Sequence, residues 1–387
     1  MKFIAKTLYG LEKTLAGELL SIGAADITVL NRAVSFTGDL QMLYRANYCL
    51  RTAMSVLRII SEFRIRSKDD LYRSCKKTGW DRFLSPEKTF SVVPVVNSPL
   101  FKHTGYAGLV LKDAVADWFR DKTGNRPSVN TENPDILLNL HISNDLVTVS
   151  ADSSVVPLYK RGWRTEQGFA PLNEVLAAGI VLMSGWDGSS VLIDPMCGSG
   201  TIPIESALIA CHIPPGKFRS FYGFQKWNDY DSSLFEEIKK ECDGHITKQA
   251  LKIYADDVSE IAVEQASANI VSAGLAGIIT VEQRNFRDLE APDDNGVIII
   301  NPPYGERMKI SEADNLYDMI GSVLKHNFEG YKAWIISSDR ESLKKVGLRP
   351  SSRTTLFNGA LECLLVRFDL YPGSRKKKSP KILSYEP

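Results

Sequence analysis

The sequence predicts an α/β chain in which an open, mostly parallel sheet is preceded by a separate mixed α+β module. Three observations lead there. Val191-Leu192-Ile193-Asp194 is an apolar run that ends in an acid, passes through Pro195-Met196-Cys197-Gly198-Ser199-Gly200-Thr201 and opens a helical pattern at Ile202. That is a strand, a glycine turn and a helix. Strand-like runs recur at Leu251–Tyr254, Ile278–Arg284 and Val297–Ile300. The residues ahead of about position 150 carry an alternation of their own.

In the front module Lys2–Thr7 reads as a strand, and the apolar spacing of Leu11–Leu20 as a helix. Ile27–Leu30 and Ala33–Phe36 make a hairpin around Asn31-Arg32, with a helix next at Leu40–Asn47. Then come a strand at Ser55–Phe63, a helix at Ser67–Lys77, a strand at Thr89–Val96, a helix at Tyr106–Lys122, and strands at Asp135–Ser143 and Leu146–Ala151. A linker is expected near Ser153–Lys160, and the terminal Arg375-Lys376-Lys377-Lys378-Ser379-Pro380-Lys381 reads as a basic, solubilising tail.

Composition narrows the function classes. With 387 residues, 44% hydrophobic and 24% charged, the chain suits two or three globular domains. No apolar run of about 18 residues is present, and Lys2 and Lys6 interrupt the start where a signal peptide needs an apolar core, so a cytoplasmic location is expected. Six cysteines without a Cys-x-x-Cys argue against a zinc site or a disulfide framework, and no metal is expected. Net charge is +1, but residues 1–160 hold 21 Lys+Arg against 16 Asp+Glu. Within them Arg64, Arg66, Lys68, Arg73, Lys76 and Lys77 form a basic stretch that suits a phosphate backbone, although from charge alone an ordinary solvated surface is the plainer reading.

The chemistry lies at the strand ends. Gly198 and Gly200 let the backbone turn sharply and approach a ligand. Pro203 stands where a dinucleotide fingerprint needs its third glycine, and no Walker lysine follows, so a ligand with an adenosine and an amino-acid end fits better than a nucleotide phosphate. Asp257, or alternatively Asp256, suits both hydroxyls of a ribose, although a helix N-cap is the plainer role for one of them. Asn285 and Phe286 follow the third strand at a place suited to adenine. Cys197 reads as a small residue packed under the ligand, since no histidine lies near it in sequence.

After Val297–Ile300 comes Asn301-Pro302-Pro303-Tyr304. A planar exocyclic amine is a poor nucleophile because its lone pair is delocalised. The Asn301 amide oxygen and the Pro302 carbonyl can accept its hydrogens and aim that lone pair at an electrophile. Pro303 stiffens the turn, and Tyr304 can stack on a base. Alone, the motif is as readily a strand-ending turn.

Taken together, the order of glycine loop, acid, adenine reader and Asn-Pro-Pro-Tyr resembles the class I, Rossmann-like S-adenosylmethionine-dependent methyltransferases that modify exocyclic amines. With Lys160-Arg161-Gly162-Trp163-Arg164, Ala170-Pro171-Leu172-Asn173-Glu174, Ile213-Pro214-Pro215-Gly216-Lys217 and Phe224-Gln225-Lys226-Trp227, the chain resembles the RlmL-type, THUMP-containing guanine-N2 RNA methyltransferases. Bacterial members are often labelled N6-adenine-specific DNA methylases. The resemblance implies a ferredoxin-like part at 1–52, a THUMP RNA-binding domain at 53–155, a methyltransferase domain at 160–372 and a tail at 373–387. It also implies S-adenosylmethionine as cofactor, with Arg164 and Asn173 added to its contacts, and RNA as partner: 23S rRNA first, tRNA as the alternative. DNA adenine-N6 methylation and a non-catalytic RNA-binding assembly factor are the competing readings. In two respects the chain departs from the family: larger members carry a second methyltransferase downstream, and many have aspartate at the position of Asn285.

Overall fold

The computed structural model describes residues 1–166, 168, 171–303 and 310–371. The front module runs β1 (Lys2–Lys6), α1 (Glu12–Ser21), β2 (Ala25–Leu30), β3 (Ala33–Thr37), α2 (Leu40–Cys49), β4 (Ser55–Arg64), α3 (Lys68–Lys76), β5 (Thr89–Asn97), α4 (Thr104–Thr123), β6 (Ser128–Val129), β7 (Ile136–Ser143) and β8 (Leu146–Asp152). Its strands form one eight-stranded sheet in the order β2-β3-β1-β4-β8-β7-β5-β6. Local chemistry sets the helix starts: the Asp39 carboxylate accepts from the Met42 N–H at 2.9 Å, and Ser67 Oγ from the Asp70 N–H at 3.2 Å.

The hairpin around Asn31-Arg32 is present, with Val29 opposite Val34 and Leu30 opposite Ala33. β6, only two residues long, has no counterpart in the sequence reading. β4 pairs with β1 on one side and β8 on the other, so the sheet runs unbroken past residue 52.

The second half contains α5 (Glu174–Ser184), β9 (Val191–Asp194), α6 (Thr201–Ala210), α7 (Ser232–Gly244), β10 (Ile253–Asp257), α8 (Glu260–Ser272), β11 (Ile279–Gln283), β12 (Gly296–Ile300), α9 (Ile310–Asn327), β13 (Lys332–Ser337), α10 (Arg340–Lys345), β14 (Ser352–Asn358) and β15 (Leu361–Asp369). The strand order is β11-β10-β9-β12-β13-β15-β14, parallel from β11 to β13, with β15 and β14 antiparallel. All five residues of β12 are buried, which explains its unbroken apolar run: a strand covered on both faces has no polar side. Between β9 and β12 the winding reverses, and an open α/β sheet binds its ligand at the strand C-termini beside such a reversal.

The segment expected to be a linker is instead packed. Ser153 and Ser154 are wholly buried, and their hydroxyls exchange hydrogen bonds with the Asn47 amide at 2.8 and 2.7 Å. Ser153 Oγ also donates to the Val56 carbonyl at 2.6 Å, so a serine-rich stretch that looks solvated serves to satisfy buried polar groups. The two halves also meet through Leu11, which packs in the same apolar cluster as α5 and α6, and through α2 against α7, where Arg45 makes a forked ion pair with Glu241.

Candidate active site

A cavity of about 650 Å³ opens at the C-terminal ends of β9, β10 and β12, within the roughly 300–1,000 Å³ usual for small-molecule sites. Its floor is the glycine loop. Asp194, Pro195, Cys197, Gly198 and Thr201 all line it, joined by Met196, Ser199 and Ile202. Gly198, at φ +52°, donates its N–H to Asp257 Oδ2 at 2.9 Å, and a Cβ there would meet no protein atom within 4 Å. It is a cradle kept clear for a ligand.

Of the two neighbouring aspartates, Asp257 lines the cavity and Asp256 does not. Asp257 also accepts from the Ser259 N–H at 3.0 Å, and α8 is capped by Ser259 rather than by either acid. The Asp256 backbone carbonyl accepts from the Cys197 N–H; its buried carboxyl is pushed up to about 6 by desolvation, against the nearby Arg284. Burial likewise holds the Asp194 carboxyl well above its ordinary range, with Asp257 and Asp256 adding to the effect. Two acids, Asp194 and Asp257, thus line one end of the site, with Asp256 behind them; a cationic ligand there would favour their charged forms.

Asn285 and Phe286 line the same cavity. Asn285 Oδ1 accepts from the Arg287 N–H at 3.0 Å, so its turn role and its place in the site coexist. Across the sheet reversal lie Asn301 and Pro303. Asn301 Oδ1 is buried and has no hydrogen-bond partner among the described residues. Tyr304, together with Gly305, Glu306 and Arg307, lies outside the described residues, as does the basic tail.

Several candidates stand behind the site rather than in it. Arg164 does not line the cavity: its guanidinium donates to Glu174 Oε1, Ser199 Oγ and Thr201 Oγ1, each at 2.8 Å, and so braces the glycine loop from outside. Asn173 is the N-cap of α5, its Oδ1 taken by the N–H groups of Val175 and Leu176. Gly200 is a spacer, because a Cβ would come within 3.2 Å of the Ala266 Cβ on α8. Pro302 is buried outside the lining. Cys197 sits in the lining, but burial and the surrounding acids push its thiol up, which suits packing and not nucleophilic attack.

The basic stretch of the front module is largely paired. Arg64 meets Asp145, Arg73 meets Asp70 and Lys76 meets Asp121, while Lys68 lies 5.2 Å from the Tyr106 ring centroid. Among the described residues, Arg66 and Lys77 make no side-chain ion pair. Such exposed pairs are weak and exchange readily for phosphate. The sequence reading missed Asn315, Leu316 and Met319 of α9, and Gly168, all of which line the cavity. Only the three-residue spacing of Leu316 and Met319 hinted at an inward face. Among the described residues no group of three metal-ligating side chains comes together, and no helix is long and apolar enough to cross a membrane.

Residues 161–367 match the family model described as the RMKL-like methyltransferase domain, residues 66–152 the THUMP domain and residues 2–57 the RlmL ferredoxin-like domain. The chain belongs to the RMKL-like methyltransferase family. A Synechocystis protein provisionally named an RNA methyltransferase is 36% identical over 95% of this chain and 97% of its own length. The ribosomal RNA large subunit methyltransferase K/L of Syntrophotalea carbinolica is 36% identical over 96% of this chain, which spans 54% of that relative; the chain covers about half of the other K/L relatives too. Among solved structures, SMU.472, classed as a methyltransferase and complexed with S-adenosylhomocysteine (SAH), superposes with a TM-score of 0.87 at 27% identity, covering 96% of this chain and 99% of its own. This RMKL-like methyltransferase uses S-adenosylmethionine, and the cleared glycine cradle and the acidic floor fit that cation.

Proposed function

We propose that this methyltransferase transfers a methyl group to the N2 amine of a guanine in RNA, with 23S rRNA as the substrate and the cytoplasm as the compartment. The observation that carries the amine chemistry is the buried Asn301 Oδ1 in the cavity lining, without a partner among the described residues: an acceptor left without a donor is costly unless a substrate supplies one. The RNA assignment is supported by the THUMP match and by the K/L relatives' names. The division at 1–52, 53–155 and 160–372 belongs to the same proposal.

When bound, S-adenosylmethionine supplies an electrophilic methyl carbon on a positively charged sulfur. The glycine loop from Asp194 to Thr201 holds its methionine end, Asp257 holds the ribose, and Asn285 with Phe286 the adenine. Asn301 Oδ1 takes a hydrogen of the amine, which draws the nitrogen lone pair out of the ring. Pro303 stiffens this corner and Tyr304 stacks on the extruded base. The nitrogen becomes acidic only as it acquires the methyl group, so water takes the proton afterwards and no catalytic histidine is required.

The test is incubation of the full chain with radiolabelled S-adenosylmethionine and RNA from cells lacking the enzyme, followed by nucleoside mapping. Label in N2-methylguanosine from 23S rRNA is expected. Label in tRNA alone, or in N6-methyladenine of DNA, would replace the substrate assignment.

A further inference from the structure

The inner face of α8 reads Ala266, Asn269, Ile270 and Ala273, all buried. An amide in that apolar stripe is destabilising unless its hydrogen-bonding capacity is filled. For Asn269, which is wholly buried, it is filled completely. Oδ1 accepts from the N–H groups of Thr165 at 2.9 Å and Glu166 at 3.0 Å. Nδ2 donates to the Glu166 carbonyl at 2.8 Å and to the Ser199 carbonyl at 2.9 Å. Two acceptor positions and two hydrogens are thereby used on two separate segments.

Those segments are the walls of the cofactor site. Thr165 and Glu166, the strap, stand in sequence just ahead of Gly168, Pro171 and Leu172 of the cavity lining, and Ser199 belongs to the glycine loop. Arg164 grips the same loop through the side chains of Ser199 and Thr201. Asn269 reaches the loop backbone instead, and among the described residues its side chain alone ties that backbone to the strap. A leucine would fill the space and hold neither wall.

We propose that Asn269 is a positioning residue that fastens the strap to the glycine loop and so sets cofactor affinity, an inference that rests on the cofactor placement above. It acts through Ser199 and Glu166, not by touching the ligand. Asn269→Asp keeps the shape and the acceptors but turns the donor toward two carbonyls into a further oxygen.

With the full chain, the dissociation constant for SAH measured by calorimetry is expected to rise at least about tenfold in Asn269→Asp, from two lost hydrogen bonds and the new repulsion. In the transfer assay the KM for S-adenosylmethionine rises while kcat at saturating cofactor stays within about threefold of wild type. An unchanged dissociation constant with a lowered melting temperature would mean a packing role only and overturn the proposal. Should the variant not fold, hydrogen exchange on the wild-type chain decides: the Thr165 and Glu166 amides gain protection when SAH binds, and exchange that SAH leaves unaltered overturns the proposal. A wild-type chain that takes up no SAH would remove the cofactor placement itself, and this inference with it.

Discussion

Asn301 carries the proposed chemistry by being incomplete. Among the described residues its Oδ1 is buried without a partner, and in the proposed reaction the substrate amine supplies the missing donor. Asn301→Ala is expected to reduce transfer by about 10²-fold or more, since orientation and charge development at the nucleophile are lost together. SAH affinity, measured by calorimetry, stays near the wild-type value because Asn301 is assigned to the substrate amine and not to the cofactor. Asp256 gives a second expectation, of opposite character. Its carboxyl is pushed up to about 6 when folded, against about 3.9 in an unfolded chain. The folded state therefore holds the proton more tightly, and the stability this contributes is fully present below about pH 4 and lost as pH rises through about 6. Melting curves of the ligand-free chain between those limits should show Asp256→Asn less dependent on pH than wild type. At this scale Asp194, Asp257, Gly198 and Asn301 were legible in the sequence, because a strand end in an open sheet has one place to point. Arg164 and Asn173 were legible as neighbours of the site but not as standing behind its lining: nearness in sequence to a ligand loop does not reveal that Glu174, Ser199 and the first turn of α5 consume their polar atoms.

At the scale of elements, the apolar runs β9, β10 and β12 and the helix that opens at the glycine turn declare themselves by period and by length. The crossing of α9 over the cavity does not. Its Asn315, Leu316 and Met319 line the cavity, a tertiary fact at which the spacing of Leu316 and Met319 barely hints. The packed Ser153-Ser154 segment was misread for a related reason, since small polar residues look alike in a loop and in a buried hydrogen-bonded junction. α5 offers a test of what Asn173 does. As an N-cap it satisfies two N–H groups at the helix start, so Asn173→Ala should lower unfolding free energy by about 0.5–2 kcal/mol. Urea midpoints measure this, and an SAH affinity lost well beyond that destabilisation would show Asn173 to be a ligand contact after all.

Across the whole molecule, the front module and the methyltransferase half are joined by buried charge as well as by apolar contact. Arg161 and Glu205 have side-chain exposures of 1% and 0%, with Nε donating to Oε1 at 3.1 Å. Arg161 also donates to the carbonyls of Leu158 at 3.0 Å and of Arg51 at 2.6 Å, while Arg51 reaches across to the carbonyls of Leu208 and Ile213. One guanidinium thus connects the end of the front module to α6, the helix that rises from the glycine loop. A buried pair of this kind adds little net stability over well-packed apolar groups, yet it is costly to break on one side, because the remaining charge keeps its desolvation without its counterion. Arg161→Met should therefore lower unfolding free energy by about 3–5 kcal/mol, and Glu205→Met by a similar amount. The double variant should recover most of either loss, a non-additivity that only direct contact produces. Urea unfolding followed by tryptophan fluorescence and by circular dichroism checks both points at once. A single shared transition in wild type would show that the two halves unfold as one unit. Losses that simply add in the double variant would mean that the pair is not the buried junction described here.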